Sequence, residues 1–264
     1  MDIFIEIKEV AEFLFHKGWA ERNAGNFSYR LNDALFCKNC QLSIVDCNCS
    51  IRHFKYKIEL DIDLDGLNIP TDIEPILISV SNSKFRDIAK DPASNCGIVF
   101  FENDSSGAVP SSKYSNTDFQ SPNKLMFLCS NESQKPTSEL YSHLMIHKYL
   151  AATFPNKRAV LHTHPTYLLA FSHKHYHRSK LELNKLLESM IPEVEYYIPR
   201  RTGFVDLMVP GSKELAYETI NQLSDHDTVV WKKHGCLGVS ETLWDAVDMI
   251  DILDKAAHIA LYVN

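Results

Sequence analysis

The sequence carries no excess of positive charge: 27 Lys and Arg stand against 34 Asp and Glu, a formal net charge of −7. Without a basic footprint, nucleic acid is not an expected partner. No apolar run is long enough to span a bilayer, so a membrane is not expected as a partner either. The opening Met1-Asp2-Ile3-Phe4-Ile5-Glu6-Ile7-Lys8-Glu9 lacks a basic n-region and a cleavage site, and reads as an amphipathic helix. Seven cysteines are an odd count, which together with the missing leader argues for a reducing cytoplasm. Internal repeats, low-complexity tracts and linkers are also missing. With 45% hydrophobic residues, 11 prolines and only 9 glycines in 264 positions, the composition is that of an ordinary globular chain able to bury a large core. One α/β domain spanning 1–264 is the simplest account.

What the chain does contain is a succession of amphipathic helices and short strands. Phe4, Ile7, Val10, Ala11, Leu14 and Phe15 form a helical stripe over 3–17 that stops near Gly18. Further helices are predicted over 138–152, 166–172, 183–190, 213–223 and 242–262. Strands are predicted over 53–60, 76–80, 97–101, 158–164, 193–199, 207–209 and 228–231. Cys37-x-x-Cys40 and Cys47-x-Cys49 invite a structural zinc reading, but the second spacing is too short for a standard knuckle and reduced cysteines in a hairpin are the plainer account.

The chemistry centres on Leu161-His162-Thr163-His164-Pro165. On an extended backbone His162 and His164 project to one side, which makes half of a metal site. A third ligand is expected from another strand end, where His234 precedes Gly235; His226 is a weaker rival. Ser172-His173-Lys174-His175-Tyr176-His177 is a second cluster, but its flanking Lys and Arg would repel a cation. A metal with an open position still needs a proton-transfer group, and Glu139, beside Thr137 and Ser138, is the candidate base; its plainer role would be to complement a helix dipole. Two stretches offer anion cradles: the Asn23-Ala24-Gly25-Asn26 turn, and Ser81-Asn82-Ser83-Lys84 between a strand and a helix. Each also has a purely structural reading, as turn geometry and as an N-cap.

Taken in order, Gly18-Trp19…Glu21-Arg22-Asn23-Ala24-Gly25-Asn26-Phe27-Ser28, Lys135-Pro136-Thr137-Ser138-Glu139-Leu140, His162-Thr163-His164, Met208-Val209-Pro210-Gly211 and His234-Gly235 resemble class II aldolases of the fuculose/rhamnulose phosphate type over nearly the whole chain. The resemblance implies a single domain with a central, mainly antiparallel sheet flanked by helices. It also implies a zinc enzyme that reversibly cleaves L-rhamnulose 1-phosphate, a phosphorylated ketose, through a metal-stabilised enediolate. His162, His164 and His234 would be the Zn2+ ligands and Glu139 the acid/base at the dihydroxyacetone phosphate carbon. Asn23, Gly25, Asn26, Ser81, Asn82, Thr137 and Ser138 would contact substrate and phosphate. A cyclic homotetramer would place Glu193, with Glu195 as the alternative, in the neighbouring site to serve the aldehyde. Within the same fold the alternatives are fuculose phosphate cleavage, sugar-phosphate epimerisation and a non-enzymatic, adducin-like interaction module. Two stretches depart from the pattern: relatives carry a glycine-rich loop where 81–84 stands, and the cysteines at 37–49 match nothing in it.

Overall fold

Alternation along the central strands decides the architecture. In the computed structural model, which describes residues 3–31, 54–62, 73–102 and 124–263, strand β6 (Ala159–Thr163) is buried at every position. Ala159 and Leu161 join one apolar cluster while Val160 joins another on the opposite face. The same division runs through β1 (Asn26–Arg30), β3 (Ile76–Ser79), β4 (Cys96–Glu102) and β5 (Lys124–Cys129). Leu77, Ile98 and Met126 face one way, and Ile78, Val99 and Phe127 the other. A sheet apolar on both faces must be covered on both.

One cover is α1 (Ile3–Lys17), α2 (Phe85–Ile88), α4 (Thr166–Lys174), α5 (Lys180–Glu188), α6 (Glu193–Tyr197) and α8 (Leu243–Val263); the other is α3 (Leu140–Thr153) with α7 (Lys213–Leu223). With β2 (Tyr56–Glu59), β7 (Thr202–Val205), β8 (Thr228–Trp231) and β9 (Gly235–Ser240), the nine strands make one sheet in the order β2-β5-β4-β3-β1-β6-β9-β8-β7. All pairs are antiparallel except β7 with β8. The expected α/β fold with a mainly antiparallel sheet is therefore the observed one. Fully burying a side chain such as Leu161 contributes about 2 kcal/mol, and the central strands are built almost wholly of such residues.

Two helices are started by carboxylates from remote parts of the chain. Glu6 Oε1 accepts the backbone N–H groups of Leu243 (2.6 Å) and Trp244 (3.3 Å) at the head of α8. Asp254 Oδ1 accepts those of Tyr167 (2.9 Å) and Leu168 (2.8 Å) at the head of α4. Each satisfies N–H groups that the helix itself leaves unpaired.

Four element readings need correction, one being that no strand was expected at β9, where Gly235 and Gly238 interrupt the pattern. Residues 193–199 are the short helix α6, not a strand: Val194 and Ile198, four apart, are the buried pair, and the apparent alternation arises from exposed tyrosines. The strand expected at 207–209 lies earlier, at β7, and Leu207 and Val209 are exposed. Strand β5 went unread because Leu125-Met126-Phe127-Leu128 has no polar alternation to mark it. The cysteines at 37–49 lie outside the described residues.

Candidate active site

Antiparallel pairing brings chemistry to one edge of the sheet. Asn26 at the start of β1 pairs with His162 near the end of β6, and the end of β3 and start of β9 lie alongside. His164 follows β6 by one residue, and its N–H donates to the Trp19 carbonyl at 2.8 Å, which the Thr163 hydroxyl also reaches at 2.7 Å. The turn between β8 and β9 delivers His234: its N–H donates to the Trp231 carbonyl at 2.9 Å, with Lys233 in the left-handed region at φ 65°. Glycine is required on both sides of this junction. A Cβ at Gly235 would lie 2.5 Å from His162 Cε1, and one at Gly25, which has φ +77°, would lie 2.9 Å from the His162 carbonyl oxygen.

The three imidazoles converge. One nitrogen from each of His162, His164 and His234 lies within 4.8 Å of the others, and His162 packs on Trp231 with ring centroids 4.4 Å apart. Hydrogen bonds assign the tautomers. His162 Nδ1 donates to the Cys236 carbonyl at 3.1 Å, and His164 Nδ1 donates to the Glu21 carboxylate at 2.8 Å. When both rings are neutral, these bonds leave each Nε2 a bare lone pair, and the two face each other at 3.3 Å. Two lone pairs in that position repel unless a cation lies between them. Two nitrogens bound at ordinary zinc distances to one tetrahedral centre sit about 3.3 Å apart. Burial, then repulsion from His164 and His234, holds His162 well below the ordinary imidazole range. Burial and His164 push His234 down to about 4. Neutral imidazoles are what a metal requires, and the carboxylate behind His164 is a common outer support.

Glu139 sits directly before α3 and is buried, 6% exposed. Burial raises its pKa, while the Asn26 amide donor and the His164 charge pull the other way. Its Oε2 accepts from Asn26 Nδ2 at 3.0 Å. A cavity of about 160 Å3 is lined by Glu139, the three histidines, the 23–26 turn, loop 79–83 and Thr137-Ser138. Among the described residues no lysine or arginine lines it. In loop 79–83 the Ser81 N–H is engaged by the Lys135 carbonyl (2.8 Å), and the Ser83 hydroxyl by the Val80 carbonyl (2.7 Å), while Asn82 takes φ 62°.

A larger hollow of about 630 Å3 lies elsewhere, beside Tyr176, Arg178, Lys180 and Lys232, and contains none of the convergent groups. Glu193 is not brought to the cavity: it lies on exposed α6 with Glu195, Tyr196 and Tyr197 along a separate groove. His226 is also elsewhere, donating from Nδ1 to the Arg200 carbonyl at 2.7 Å. The structure adds groups that the sequence reading passed over: Glu21 behind His164, and Ser28, His143 and His147 behind Asn26. The available signal was the spacing of 139, 143 and 147, which places all three on one helical face.

Comparison with known proteins gives this edge a lineage. Residues 102–261 match the family described as Class II Aldolase and Adducin N-terminal domain. A rhamnulose-1-phosphate aldolase of Bacteroides thetaiotaomicron is 31% identical over 96% of this chain and 83% of its own length. One from Listeria monocytogenes is 27% identical over the same shares. The crystal structure of a sugar-phosphate aldolase from Thermotoga maritima superposes with a TM-score of 0.75 at 28% identity, covering 99% of this chain and 94% of that one. An L-fuculose-1-phosphate aldolase from Thermus thermophilus, 17% identical with a TM-score of 0.55 over 98% and 93% of the two chains, shares the fold. This chain belongs to the class II aldolase and adducin N-terminal domain family.

Proposed function

We propose that this protein is a zinc-dependent aldolase that reversibly cleaves L-rhamnulose 1-phosphate to dihydroxyacetone phosphate and L-lactaldehyde. The observation that carries this reading is the placement of a buried carboxylate, Glu139, in the same cavity as three convergent imidazoles. Relatives named rhamnulose-1-phosphate aldolase support the choice of sugar. A divalent cation held by His162, His164 and His234 supplies, when bound, the positive charge that draws electron density onto the substrate oxygens.

The chain's own groups account for the rest. Cleavage breaks one carbon–carbon bond: a proton leaves the hydroxyl on the aldehyde side, and a proton must arrive at the carbon retained in the three-carbon phosphate. Glu139 delivers the latter proton, and withdraws it in the synthetic direction. Its raised pKa brings its affinity for a proton nearer to that task. Substrate and its phosphate are held by neutral donors, the amides and hydroxyls of Asn23, Gly25, Asn26, Ser81, Asn82, Thr137 and Ser138, acting at fixed geometry. Glu193, exposed on α6 beside Tyr196 (78% exposed), serves the aldehyde oxygen of a neighbouring subunit in a homotetramer. The buried free thiols Cys96, Cys129 and Cys236 suit a reducing cytoplasm.

The test is a coupled assay of L-rhamnulose 1-phosphate, L-fuculose 1-phosphate and L-ribulose 5-phosphate on one preparation, with metal content measured alongside. Preferential cleavage of the rhamnulose ester with stoichiometric zinc is the expected outcome. Preference for the fuculose ester would move the substrate, epimerisation of the ribulose ester would move the reaction, and the absence of both turnover and bound metal would favour an interaction module.

A further inference from the structure

Behind Glu139, away from the cavity, two periodicities interlock. On α3 and the residue before it, positions 139, 143 and 147 recur every four residues, a rise of about 6.0 Å per step. On β1, positions 26 and 28 recur every two, a rise of about 6.6 Å. The match lets the two sets of side chains alternate as rungs. Glu139 Oε2 contacts Asn26 Nδ2 (3.0 Å), and Asn26 Oδ1 contacts His143 Nε2 (2.6 Å). His143 Nδ1 then contacts Ser28 Oγ (2.6 Å), and Ser28 Oγ contacts His147 Nε2 (2.8 Å). Every member is buried, and Ser28, His143 and His147 are at most 1% exposed.

From this geometry we infer that Asn26, His143, Ser28 and His147 form a one-way hydrogen-bond chain that positions Glu139, leaving Oε1 as the oxygen that carries the proton. This rests on the aldolase reading of Glu139. Direction follows from the far end. His147 Nδ1 is buried and has no partner among the described residues. In one polarity it is an unpaired lone pair: His147 Nε2–H donates to Ser28, the Ser28 hydroxyl to His143 Nδ1, His143 Nε2–H to Asn26 Oδ1, and Asn26 Nδ2–H to Glu139. In the reverse polarity His147 Nδ1 would carry a buried proton with no acceptor, the rarer and more costly defect. Reversal would also require the Asn26 amide to flip end over end. Asn26 therefore always offers Glu139 an N–H and cannot accept a proton from it. Oε2 is held by that donor, while Oε1 takes no hydrogen bond from the described residues. Burial keeps His143 and His147 neutral, at about 3 for His143 and well below the ordinary range for His147, so the ends of the chain do not reverse by protonation near neutral pH.

Two measurements test this. Ring 15N NMR of the histidine-labelled, metal-loaded protein at pH 7 reads the tautomers directly. Both His143 and His147, assigned by the loss of each signal in its variant, are expected neutral with the proton on Nε2. An Nδ1–H tautomer at either residue overturns the polarity whatever the protein catalyses. Steady-state cleavage assays read the positioning. His143→Phe is expected to lower kcat about 10- to 100-fold with KM and metal content close to those of the parent. His143→Gln, whose Nε2 amide restores a donor toward Asn26, is expected to recover most of the loss. Parental kcat in His143→Phe, or a loss that tracks metal content and is not recovered by Gln, overturns the positioning role. If the parent cleaves no phosphorylated ketose, the functional reading fails, while the tautomers still report on the chain.

Discussion

Two groups of three histidines differ in what their spacing achieves. His173, His175 and His177 are crowded within five positions at the end of α4, yet His173 and His177 are exposed while His175 is buried edge-on against Phe171, with ring centroids 4.8 Å apart. His162, His164 and His234 come from two strand ends far apart in sequence, and their nitrogens converge within 4.8 Å. His173 is in the last turn of α4 while His175 and His177 follow it in a turn, a backbone that does not hold alternate residues on one side as a strand does. Local density of a ligand residue is therefore a poor guide, and the backbone that carries it decides. Lys174 and Arg178 add unfavourable charge near His175, whereas the His162 group is backed by the Cys236 carbonyl and the Glu21 carboxylate.

Removing one member of the convergent group is the strongest way to break this contrast. His234→Ala should strip the metal and lower cleavage by about 10³-fold or more, because two imidazoles are below the three-ligand minimum of a catalytic site. Elemental analysis beside the assay checks it, and full occupancy in that variant would point instead to His226 or to 173–177. Glu139→Gln should act differently, retaining metal while the rate drops roughly 10²-fold, as for loss of a general base. If rate and metal fell together in Glu139→Gln, Glu139 would belong with the metal's support rather than with proton transfer.

The ligand pattern was legible in the sequence because a strand with His-x-His needs only the period of two to be read. Gly235 was legible as a close approach for the same reason, since a glycine next to a ligand has few other uses. What stayed hidden depended on pairing. Nothing in residues 26 and 28 says that β1 lies between β3 and β6, so the sequence ties neither His143 nor His147 to them. The 193–199 error has the same root: Val194 and Ile198 satisfy a helical period of four, and only packing against the rest of the fold distinguishes that from a strand's two. Glu193 is the sequence reading that the single chain leaves apart from the cavity, on a separate groove along α6.

A third kind of histidine sharpens the contrast through pH. His143 is buried and neutral, its pKa pushed down to about 3 by loss of solvent. In the unfolded chain it titrates near 6.5. Between those values the unfolded state binds a proton that the native state does not, so stability is fully present above about pH 6.5 and falls as pH drops toward 3. His143 alone should contribute a slope of up to about 1.4 kcal/mol per pH unit. Denaturant midpoints between pH 7 and pH 5 should show it, and His143→Gln should flatten it. An unchanged slope would mean that the ring is protonated in the native state.

Scaffold and site can then be separated. Asp254→Ala removes the remote cap that holds the head of α4, just beyond His164, and should cost about 1–2 kcal/mol in denaturation while metal content stays at the parental level. A parallel fall in metal would mean that the His164 position depends on the α4 cap as well as on the Trp19 carbonyl.

The smallest effect is expected where the sequence is densest in histidine. His173→Ala and His177→Ala remove exposed rings that share no donor set, so metal content and cleavage rate should match the parent, with stability altered by less than about 0.5 kcal/mol. His177 adjoins Tyr176, whose ring also receives Lys232 and Lys233 at 5.2 and 4.0 Å. A kinetic effect confined to His177→Ala, with His173→Ala silent, would therefore indicate transmission through Tyr176 to the turn that carries His234, not ligation. Loss of metal in both variants would be a different result: it would bring the 173–177 cluster back as a ligand set and make convergence at the strand ends the incidental feature.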